Sequence, residues 1–192
     1  MAHNLNLKKG NLMHMKLLLH MCCAPCSVYP VSILKEKNID FEGFFYNPNI
    51  HPMEEFTKRK ENVEMFSKIR NLKVHYIDEF NQDRWENFKG EGEERCDMCY
   101  SIRLEKSAQY ASEKEFEAFT TTLLVSPYQK HDLIQKLGEK FAQKYGIAFY
   151  YEDFRLGFRK GQQEAKNMGL YRQKYCGCIV SFTNRQNNIN KG

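Results

Sequence analysis

The sequence has no long apolar run and no strong excess of charge of either sign. No segment approaches the roughly 20 uninterrupted apolar residues that cross a bilayer, and residues 1–15 lack the apolar core and small residues of a secretory signal. The 192 residues also include no low-complexity tract or linker that would divide the chain. We therefore expect one soluble, cytoplasmic domain that has no contact with a membrane.

The charge balance is only mildly basic. There are 29 Lys and Arg residues against 24 Asp and Glu residues, for a net charge of +5. This excess permits binding to a polyanion but does not identify one, and short clusters such as 58–60 and 155–160 are typical of solvated surfaces. An aromatic content of 14% supplies enough apolar area for a core.

Cysteine is the informative residue type. The seven cysteines are an odd count without an export signal, which disfavours a secreted disulfide framework. Two of the clusters contain the spacing Cys-x-x-Cys, which lets two thiolates converge on one metal centre. The seven fall into three tight clusters, namely Cys22, Cys23 and Cys26; Cys96 and Cys99; and Cys176 and Cys178.

Three kinds of cysteine chemistry remain open at this point. A structural zinc site would use two Cys-x-x-Cys pairs, but the first two clusters lie much further apart than the roughly 15–20 residues of a local zinc module. An iron-sulfur cluster uses three or four thiolates and leaves others for a second metal or a dithiol. A metal-free thiol redox protein is the third alternative. The pair Cys176 and Cys178 suits either an easily reduced disulfide or two further ligands, with Gly177 relaxing the backbone between them.

The chain alternates predicted strands and helices. The strands are expected over residues 16–21, 41–46, 73–77, 116–125 and 147–151. The helices are expected from a cap at Ser27 to about 37, from 52 to about 69, from Cys96 to about 112, and over 131–145. Residues 89–95 are predicted as a polar loop. The second helix should bury one apolar face, made of Phe56, Val63, Phe66 and Ile69.

This alternation predicts an α/β fold with a single doubly wound, mainly parallel sheet of about five strands. Ligands of such sheets gather outside the carboxyl ends of the strands. The Cys-bearing turn at 22–26 and the loops at 47–52 and 126–128 all follow predicted strands, so we expect them at that edge. The domain is predicted to span residues 15–183, with a flexible extension over 1–14 and a flexible tail over 184–192.

Five motifs, in the same order along the chain, resemble those of the QueH-type epoxyqueuosine reductases. Together they extend the resemblance along the chain from about Lys16 to Phe182. The motifs are Cys-Cys-Ala-Pro-Cys-Ser at 22–27, Phe-Tyr-Asn-Pro-Asn-Ile-His-Pro at 45–52, Glu-Arg-Cys-Asp-Met-Cys at 94–99, Thr-Thr-Leu-Leu-Val-Ser-Pro-Tyr at 121–128, and Gly-Leu-Tyr-Arg-Gln-Lys-Tyr-Cys-Gly-Cys at 169–178.

The resemblance implies an enzyme that reduces the epoxide of epoxyqueuosine in the anticodon loop of tRNA, the last step of queuosine biosynthesis. It implies a Rossmann-like fold of the adenine-nucleotide-hydrolase type, in which cysteines replace the phosphate-binding loop after the first strand. It also implies a four-iron, four-sulfur cluster with a neighbouring metal, iron or another divalent ion, and no cobalamin. The electron donor is not identified. A thiol-disulfide oxidoreductase and a zinc-bound nucleic-acid-binding module are the alternative functions.

Epoxide reduction takes two electrons and two protons, and it needs a Lewis acid or a proton donor at the oxygen. We hypothesise that the cluster and the adjacent iron divide five cysteines between them: Cys22, Cys23, Cys26, Cys96 and Cys99. Asp97 is a hypothetical oxygen ligand and His51 a hypothetical proton donor, although a solvated carboxylate and a loop-fixing imidazole are equally consistent with the sequence. Cys176 and Cys178 are predicted to be a catalytic pair that cycles through a disulfide.

Polar and basic residues complete the predicted site. Loop chemistry alone also explains Asn and Ser at such positions. The predicted substrate-binding residues are Tyr46, Asn47, Asn49, Ser126 and Tyr128. The predicted tRNA-binding residues are Arg155, Arg159, Lys160 and Arg172, with Tyr171 and Tyr175 as stacking rings.

Overall fold

Five parallel strands form one sheet in the computed structural model, which describes residues 15–189. Their spatial order is β3-β2-β1-β4-β5, and every neighbouring pair runs parallel. The chain therefore winds outward in both directions from β1, which confirms the predicted doubly wound fold. The strands are β1 (Lys16–His20), β2 (Asp40–Phe45), β3 (Val74–Tyr76), β4 (Ala118–Thr121) and β5 (Ala148–Phe149).

Seven helices of the described chain connect and follow the strands of the sheet. Within residues 15–189, no helix is both long and apolar enough to cross a membrane. Short 3₁₀ turns follow β4 at Thr122–Val125 and precede α6 at Phe154–Gly157. The helices are α1 (Ala24–Glu36), α2 (Met53–Arg70), α3 (Gln82–Glu86), α4 (Gly92–Glu113), α5 (His131–Tyr145), α6 (Phe158–Asn167) and α7 (Ile179–Ile189).

The core lies on both faces of the sheet. Along β1, Leu18 belongs to one buried apolar cluster, and Leu17 and Leu19 belong to the other. Successive side chains of a strand point to opposite faces, so a strand covered on both sides is apolar at every position. This burial fixes β1 and thereby the cysteine-bearing turn that follows it.

The first helix begins earlier than the sequence predicts. Ser27 lies inside α1, which starts at Ala24 with Cys23 as its N-cap residue. Pro25 fits the first turn because the N–H group it lacks has no partner there in any helix. The hydroxyl of Ser27 donates instead to the carbonyl of Cys23 at 2.7 Å. The prediction of a Ser27 cap was wrong, and two of the three clustered cysteines belong to the helix start.

The cysteine-bearing helix α4 also begins early, at Gly92, so its first turn occupies part of the predicted 89–95 loop. Glu93 and Glu94 lie in that first turn, where carboxylates interact favourably with the helix dipole. Cys96 and Cys99 consequently lie one turn inside the helix. Their positions are held by regular helical backbone.

Several smaller differences from the predicted elements remain. The fourth strand ends at Thr121, whose hydroxyl accepts a hydrogen bond from Leu123 N and starts the 3₁₀ turn. On α2, Ile69 is 51% exposed, while the predicted Phe56, Val63 and Phe66 are buried. Helices α3, α6 and α7 are not among the predicted elements. Residues 184–189, expected in a flexible tail, lie in α7, and the predictions for 1–14 and 190–192 fall outside the described residues.

Candidate metal centre

Three cysteines converge at the carboxyl end of β1. The Sγ atoms of Cys22, Cys23 and Cys26 all lie within 4.8 Å of one another, and the first two are 3.9 Å apart. The sharp change from strand to helix brings them together, because Cys22 precedes the helix and Cys26 lies in its first turn. Three thiols at this spacing can share one metal centre.

Polar side chains from two other segments contact these sulfur atoms. The hydroxyl of Thr122 lies 3.2 Å from the Cys22 sulfur and also accepts a hydrogen bond from the Cys22 backbone N–H at 3.0 Å. The amide nitrogen of Gln173 lies 3.0 Å from the Cys23 sulfur and 3.6 Å from that of Cys26. Hydrogen bonds to sulfur are one way in which proteins tune metal-thiolate centres.

Contacts among the three thiols move their pKa values in opposite directions. Hydrogen bonds from Cys23 and Cys26 hold the pKa of the Cys22 thiol well below its usual range. Burial raises the pKa of Cys23, and the hydrogen bond with Cys22 raises the pKa of Cys26. Of the three, Cys22 is thus the thiol most readily converted to the thiolate, and it is also the least buried residue of the three. A thiolate is the form that binds metal.

Helix α4 brings a second cysteine pair to the same place. Cys96 and Cys99 are three residues apart and so share one helical face. The guanidinium of Arg103, one turn further on, donates to the Cys99 sulfur at 3.3 Å and to the Cys99 carbonyl at 3.1 Å. Burial raises the pKa of the Cys99 thiol, while Arg103 opposes that shift.

The third cluster lies on the loop between α6 and α7. The sulfurs of Cys176 and Cys178 are 3.7 Å apart. The hydrogen bond from Cys178 lowers the pKa of Cys176 to about 5, and the same contact raises the pKa of Cys178. Gly177 between them has φ +129°, a conformation that residues with a side chain rarely adopt. The pair resembles the thiolate and thiol of a reactive dithiol.

One cavity of about 640 Å³ joins the three clusters. This confirms that the cysteine-bearing segments meet at the carboxyl edge of the sheet. Cys23 lies behind the wall, next to Cys22. The six cysteines that line the cavity are Cys22, Cys26, Cys96, Cys99, Cys176 and Cys178.

The charged residues of the cavity wall are all basic. Among the residues that the structure describes, no Asp or Glu side chain lines the cavity. A wall with this charge favours anionic contents, whether metal-bound thiolates or the phosphates of a nucleic acid. The basic lining residues are Arg59, Arg95, Arg103, Lys130, Arg172 and Lys174.

Most of the predicted substrate-binding residues lie in the cavity wall. Asn47, Asn49, Ser126 and Tyr128 line it, and Tyr128 at the mouth is 83% exposed. The amide oxygens of Asn47 and Asn49 are buried without a hydrogen-bond partner among the described residues. Tyr46 is not part of the wall, and its hydroxyl donates to Glu79 at 3.0 Å.

Two hypothetical catalytic residues lie outside the wall. Asp97 is exposed on the other side of α4 and accepts a hydrogen bond from Ser101 at 3.3 Å. His51 is fully buried, and burial lowers its pKa. Its Nδ1 atom accepts from Ile179 N at 3.1 Å, so Nε2 carries the proton and donates to the Pro48 carbonyl. Both ring nitrogens of His51 are thus engaged within the protein.

The four predicted tRNA-binding residues occupy different positions. Arg172 lines the cavity mouth, whereas Arg159 and Lys160 are exposed on α6 outside the cavity wall. Arg155 donates twice to the carboxylate of Asp153, at 2.8 and 2.6 Å, so much of its charge is neutralised locally. Of the four, Arg172 alone borders the cavity.

Sequence reasoning did not assign several residues of the site. Arg59 lies in a basic cluster typical of a solvated surface, yet it is 3% exposed and lines the cavity. Its signal is the spacing of Glu55, Arg59 and Asn62, which places three polar residues on one face of α2. Gln173 and Thr122 gave no separate signal, because the fold alone brings them to the cysteines.

The fold and the arrangement of the cysteines define the class of protein. A doubly wound parallel sheet whose first strand leads into three converging cysteines is a Rossmann-like protein with a candidate thiolate metal site. The family described as "Epoxyqueuosine reductase QueH" matches residues 17–184, and the chain belongs to this family of oxidoreductases.

Curated relatives with the same description support this assignment. The protein of Thermotoga maritima is 37% identical over 179 residues, covering 88% of this chain and 91% of the relative. That of Acinetobacter baylyi is 38% identical over 182 residues, covering 88% and 83%. That of Dehalococcoides mccartyi is 34% identical over 167 residues, covering 86% and 92%. Each similarity therefore covers more than four fifths of this chain and of the relative.

Two solved structures share the fold. One is the U34-tRNA thiolase NcsA from Methanococcus maripaludis with its [4Fe-4S] cluster, with a TM-score of 0.55, 10% identity, and coverage of 85% of this chain and 60% of that one. The other is a predicted subunit of a tRNA methyltransferase from Methanocaldococcus jannaschii, with a TM-score of 0.51, 15% identity, and coverage of 79% and 74%. Both likenesses support the doubly wound, Rossmann-like fold. At these identities the likeness concerns the fold alone.

Proposed function

We propose that this protein reduces the epoxide of epoxyqueuosine in the anticodon loop of tRNA to give queuosine. The observation that carries the proposal is the single cavity lined by six cysteines and by basic side chains. The names of the family and of its curated relatives point to the same reaction. Since tRNA is a cytoplasmic substrate, the proposal implies a cytoplasmic enzyme.

The cavity fits an iron-sulfur cluster because its donors are thiols at metal-binding spacing. We propose that five cysteines divide between a four-iron, four-sulfur cluster and an adjacent iron. When bound, such a centre supplies low-potential electrons and a Lewis acid for the epoxide oxygen. Asp97 is not used in this assignment, because its carboxylate lies outside the cavity wall. The five residues are Cys22, Cys23, Cys26, Cys96 and Cys99.

Cys176 and Cys178 form a dithiol that suits the overall reaction. Removing the epoxide oxygen as water consumes two electrons and two protons. Oxidation of the two thiols to one disulfide releases the same number of each, and an external thiol reductant would restore the pair. Their sulfurs lie 3.7 Å apart at the cavity wall, so only a small movement is needed to form the bond.

The uncharged polar residues of the wall would orient the modified nucleoside. Asn49 lies on the loop after β2 and Ser126 on the loop after β4, so the two residues flank the end of β1 at the sheet edge. The unpartnered amide oxygens of Asn47 and Asn49 would accept hydrogen bonds from N–H or O–H groups of the substrate. A cavity of about 640 Å³ is in the range of small-ligand sites.

The basic residues at the mouth would hold the RNA backbone. Arg172 and Lys174 are exposed there, and neither forms an ion pair among the described residues. Arg159 and Lys160 on α6 extend the positive surface. Tyr128 presents an exposed ring beside Phe158, a suitable surface for stacking an unpaired base.

The experiment that tests the proposal begins with the metal. Protein purified without oxygen should contain about four or more irons per chain with matching acid-labile sulfide, and its visible absorption should be bleached by dithionite. It should then convert epoxyqueuosine in tRNA to queuosine without cobalamin. Stoichiometric zinc without sulfide, reproduced after anaerobic reconstitution, would contradict the proposal. So would iron-loaded protein that leaves the epoxide intact.

A further inference from the structure

The loop that carries Cys176 and Cys178 has no regular secondary structure of its own. We call residues 171–178, which join the end of α6 to α7, the strap. Its backbone polar groups are bonded mainly by side chains from other parts of the protein. The position of the two sulfurs therefore depends on those side chains.

One face of α2 supplies most of these contacts. Glu55, Arg59 and Asn62 follow the spacing i, i+4, i+7 and are 7%, 3% and 7% exposed. The side chain of Asn62 donates to the Tyr171 carbonyl at 2.8 Å and accepts from the Tyr171 N–H at 3.1 Å. The hydroxyl of Tyr171 donates to Glu55 at 2.7 Å. The start of the strap is thus fixed to α2 at three points.

Arg59 holds the part of the strap that bears the thiols. Its Nε atom donates to Glu55 at 2.7 Å, while Nη1 donates to the Cys176 carbonyl at 3.2 Å and Nη2 to the Tyr175 carbonyl at 3.1 Å. A buried arginine that binds a carboxylate and two carbonyls has little capacity left for a phosphate. Arg59 therefore differs from Arg172 and Lys174, although all three line the cavity.

The loop at His51 holds the other side of the thiol pair. The His51 N–H donates to the Gly177 carbonyl at 2.8 Å, and the Tyr175 hydroxyl donates to the His51 carbonyl. A Cβ atom on Gly177 would lie 3.2 Å from Nη1 of Arg59. The backbone between the two cysteines is thus enclosed by the guanidinium and by the His51 loop.

We infer that Arg59 is a positioning residue that holds the Cys176 and Cys178 sulfurs close enough to form a disulfide with little movement. The inference rests on the proposed function in treating this pair as the redox-active dithiol. Two thiols on a fixed loop have a high effective concentration toward each other, whereas a loosened loop must order itself each time the bond forms. Loss of the Arg59 contacts should therefore make the disulfide less favourable to form.

The test measures the equilibrium of the pair with glutathione on metal-loaded protein. The Cys176 thiolate attacks oxidised glutathione and releases one reduced glutathione. The Cys178 thiol then loses its proton and displaces the second glutathione, closing the disulfide. After the free thiols are blocked, trypsin cleavage behind Lys174 and Arg185 gives the peptide 175–185, whose only cysteines are these two. Its oxidised fraction gives the equilibrium constant.

For Arg59→Met we expect the equilibrium constant for oxidation to fall about tenfold, with partial recovery in Arg59→Lys. Arg95→Met is the matched control, because Arg95 also lines the cavity but donates to the carbonyls of Trp85, Phe88 and Gly90. It should leave the constant unchanged.

Removing Arg59 also leaves the buried Glu55 carboxylate without its cationic partner, which can unfold the protein. Tyr175→Phe avoids that risk, since it removes one neutral hydrogen bond, and it should lower the constant about threefold.

A wild-type constant in folded Arg59→Met would overturn the inference, as would an equal fall in Arg95→Met. If Arg59→Met does not fold, a wild-type constant in Tyr175→Phe would overturn the premise that the fixed loop holds the two sulfurs together. This readout does not depend on turnover. If replacing both cysteines leaves epoxide reduction intact, the proposed role of the dithiol fails, while the glutathione equilibrium still reports whether Arg59 positions the pair.

Discussion

The turn at Cys22–Cys26 and the loop at Cys176–Cys178 contribute to one cavity but are held in different ways. The turn joins a buried central strand to a helix, so backbone structure fixes its sulfurs. The loop is part of the strap between α6 and α7, and hydrogen bonds from α2 side chains and contacts with the His51 loop hold it in place. A ligand set benefits from a geometry that does not change, whereas a dithiol must accommodate a bond that forms and breaks. The construction thus matches the roles proposed for the two regions.

The largest effect should come from the fixed turn. Cys23→Ala removes a buried member of the three converging thiols, so we expect iron to be lost and turnover to fall about 100-fold or more. Iron and sulfide analysis of anaerobically purified protein measures this. Cys176→Ser is the control and should keep its iron. The division between the two regions would be wrong if Cys23→Ala retained the full cluster, or if Cys176→Ser lost it.

Replacing both loop cysteines with serine should separate metal content from turnover. The Cys176→Ser, Cys178→Ser protein should keep its iron and visible spectrum, yet its turnover with tRNA should fall about 100-fold because serine cannot supply electrons. Single-turnover assays with dithiothreitol and with dithionite would measure the loss. Unchanged rates with both reductants would show that Cys176 and Cys178 take no part in the reaction.

A smaller effect is expected when only the shape of the loop changes. Gly177→Ala places a side chain at φ +129° and close to Arg59, at a cost of about 1–3 kcal/mol. We expect a lower Tm and a turnover reduced about tenfold, with iron retained. Gly146→Ala is the matched control, since Gly146 also has a positive φ, +68°, but lies at the end of α5 with nothing within 4 Å of the added Cβ. It should lose stability and keep its turnover; a similar loss of turnover in both variants would contradict the role of the loop.

The same contrast explains what the sequence could predict. The parallel sheet, the edge at which the cysteines gather and the bounds of α5 all follow from local periodicity and chain order. The role of Arg59 does not, because its partners are carbonyls about 116 residues away along the chain. Asp97 and His51 each belong to a motif of the family, yet Asp97 does not line the cavity and hydrogen bonds within the protein engage both ring nitrogens of His51. Motifs locate a site, whereas the direction of a side chain depends on the fold.

The smallest effect should come from the rim, the exposed basic residues Arg172 and Lys174 at the cavity mouth, which we propose hold the RNA and not the metal or the dithiol. Arg172→Gln removes one exposed charge at the cavity mouth, so KM for tRNA should rise about threefold at moderate salt with kcat unchanged. The slope of log affinity against log salt should decrease by about 0.7, the value for one phosphate contact on a single strand. Arg155→Gln is the control, because Asp153 already neutralises Arg155, and its slope should match the wild type. Equal slopes in both variants would place the RNA on a different surface, while a change in kcat for Arg172→Gln would assign that residue to the reaction and not to the rim.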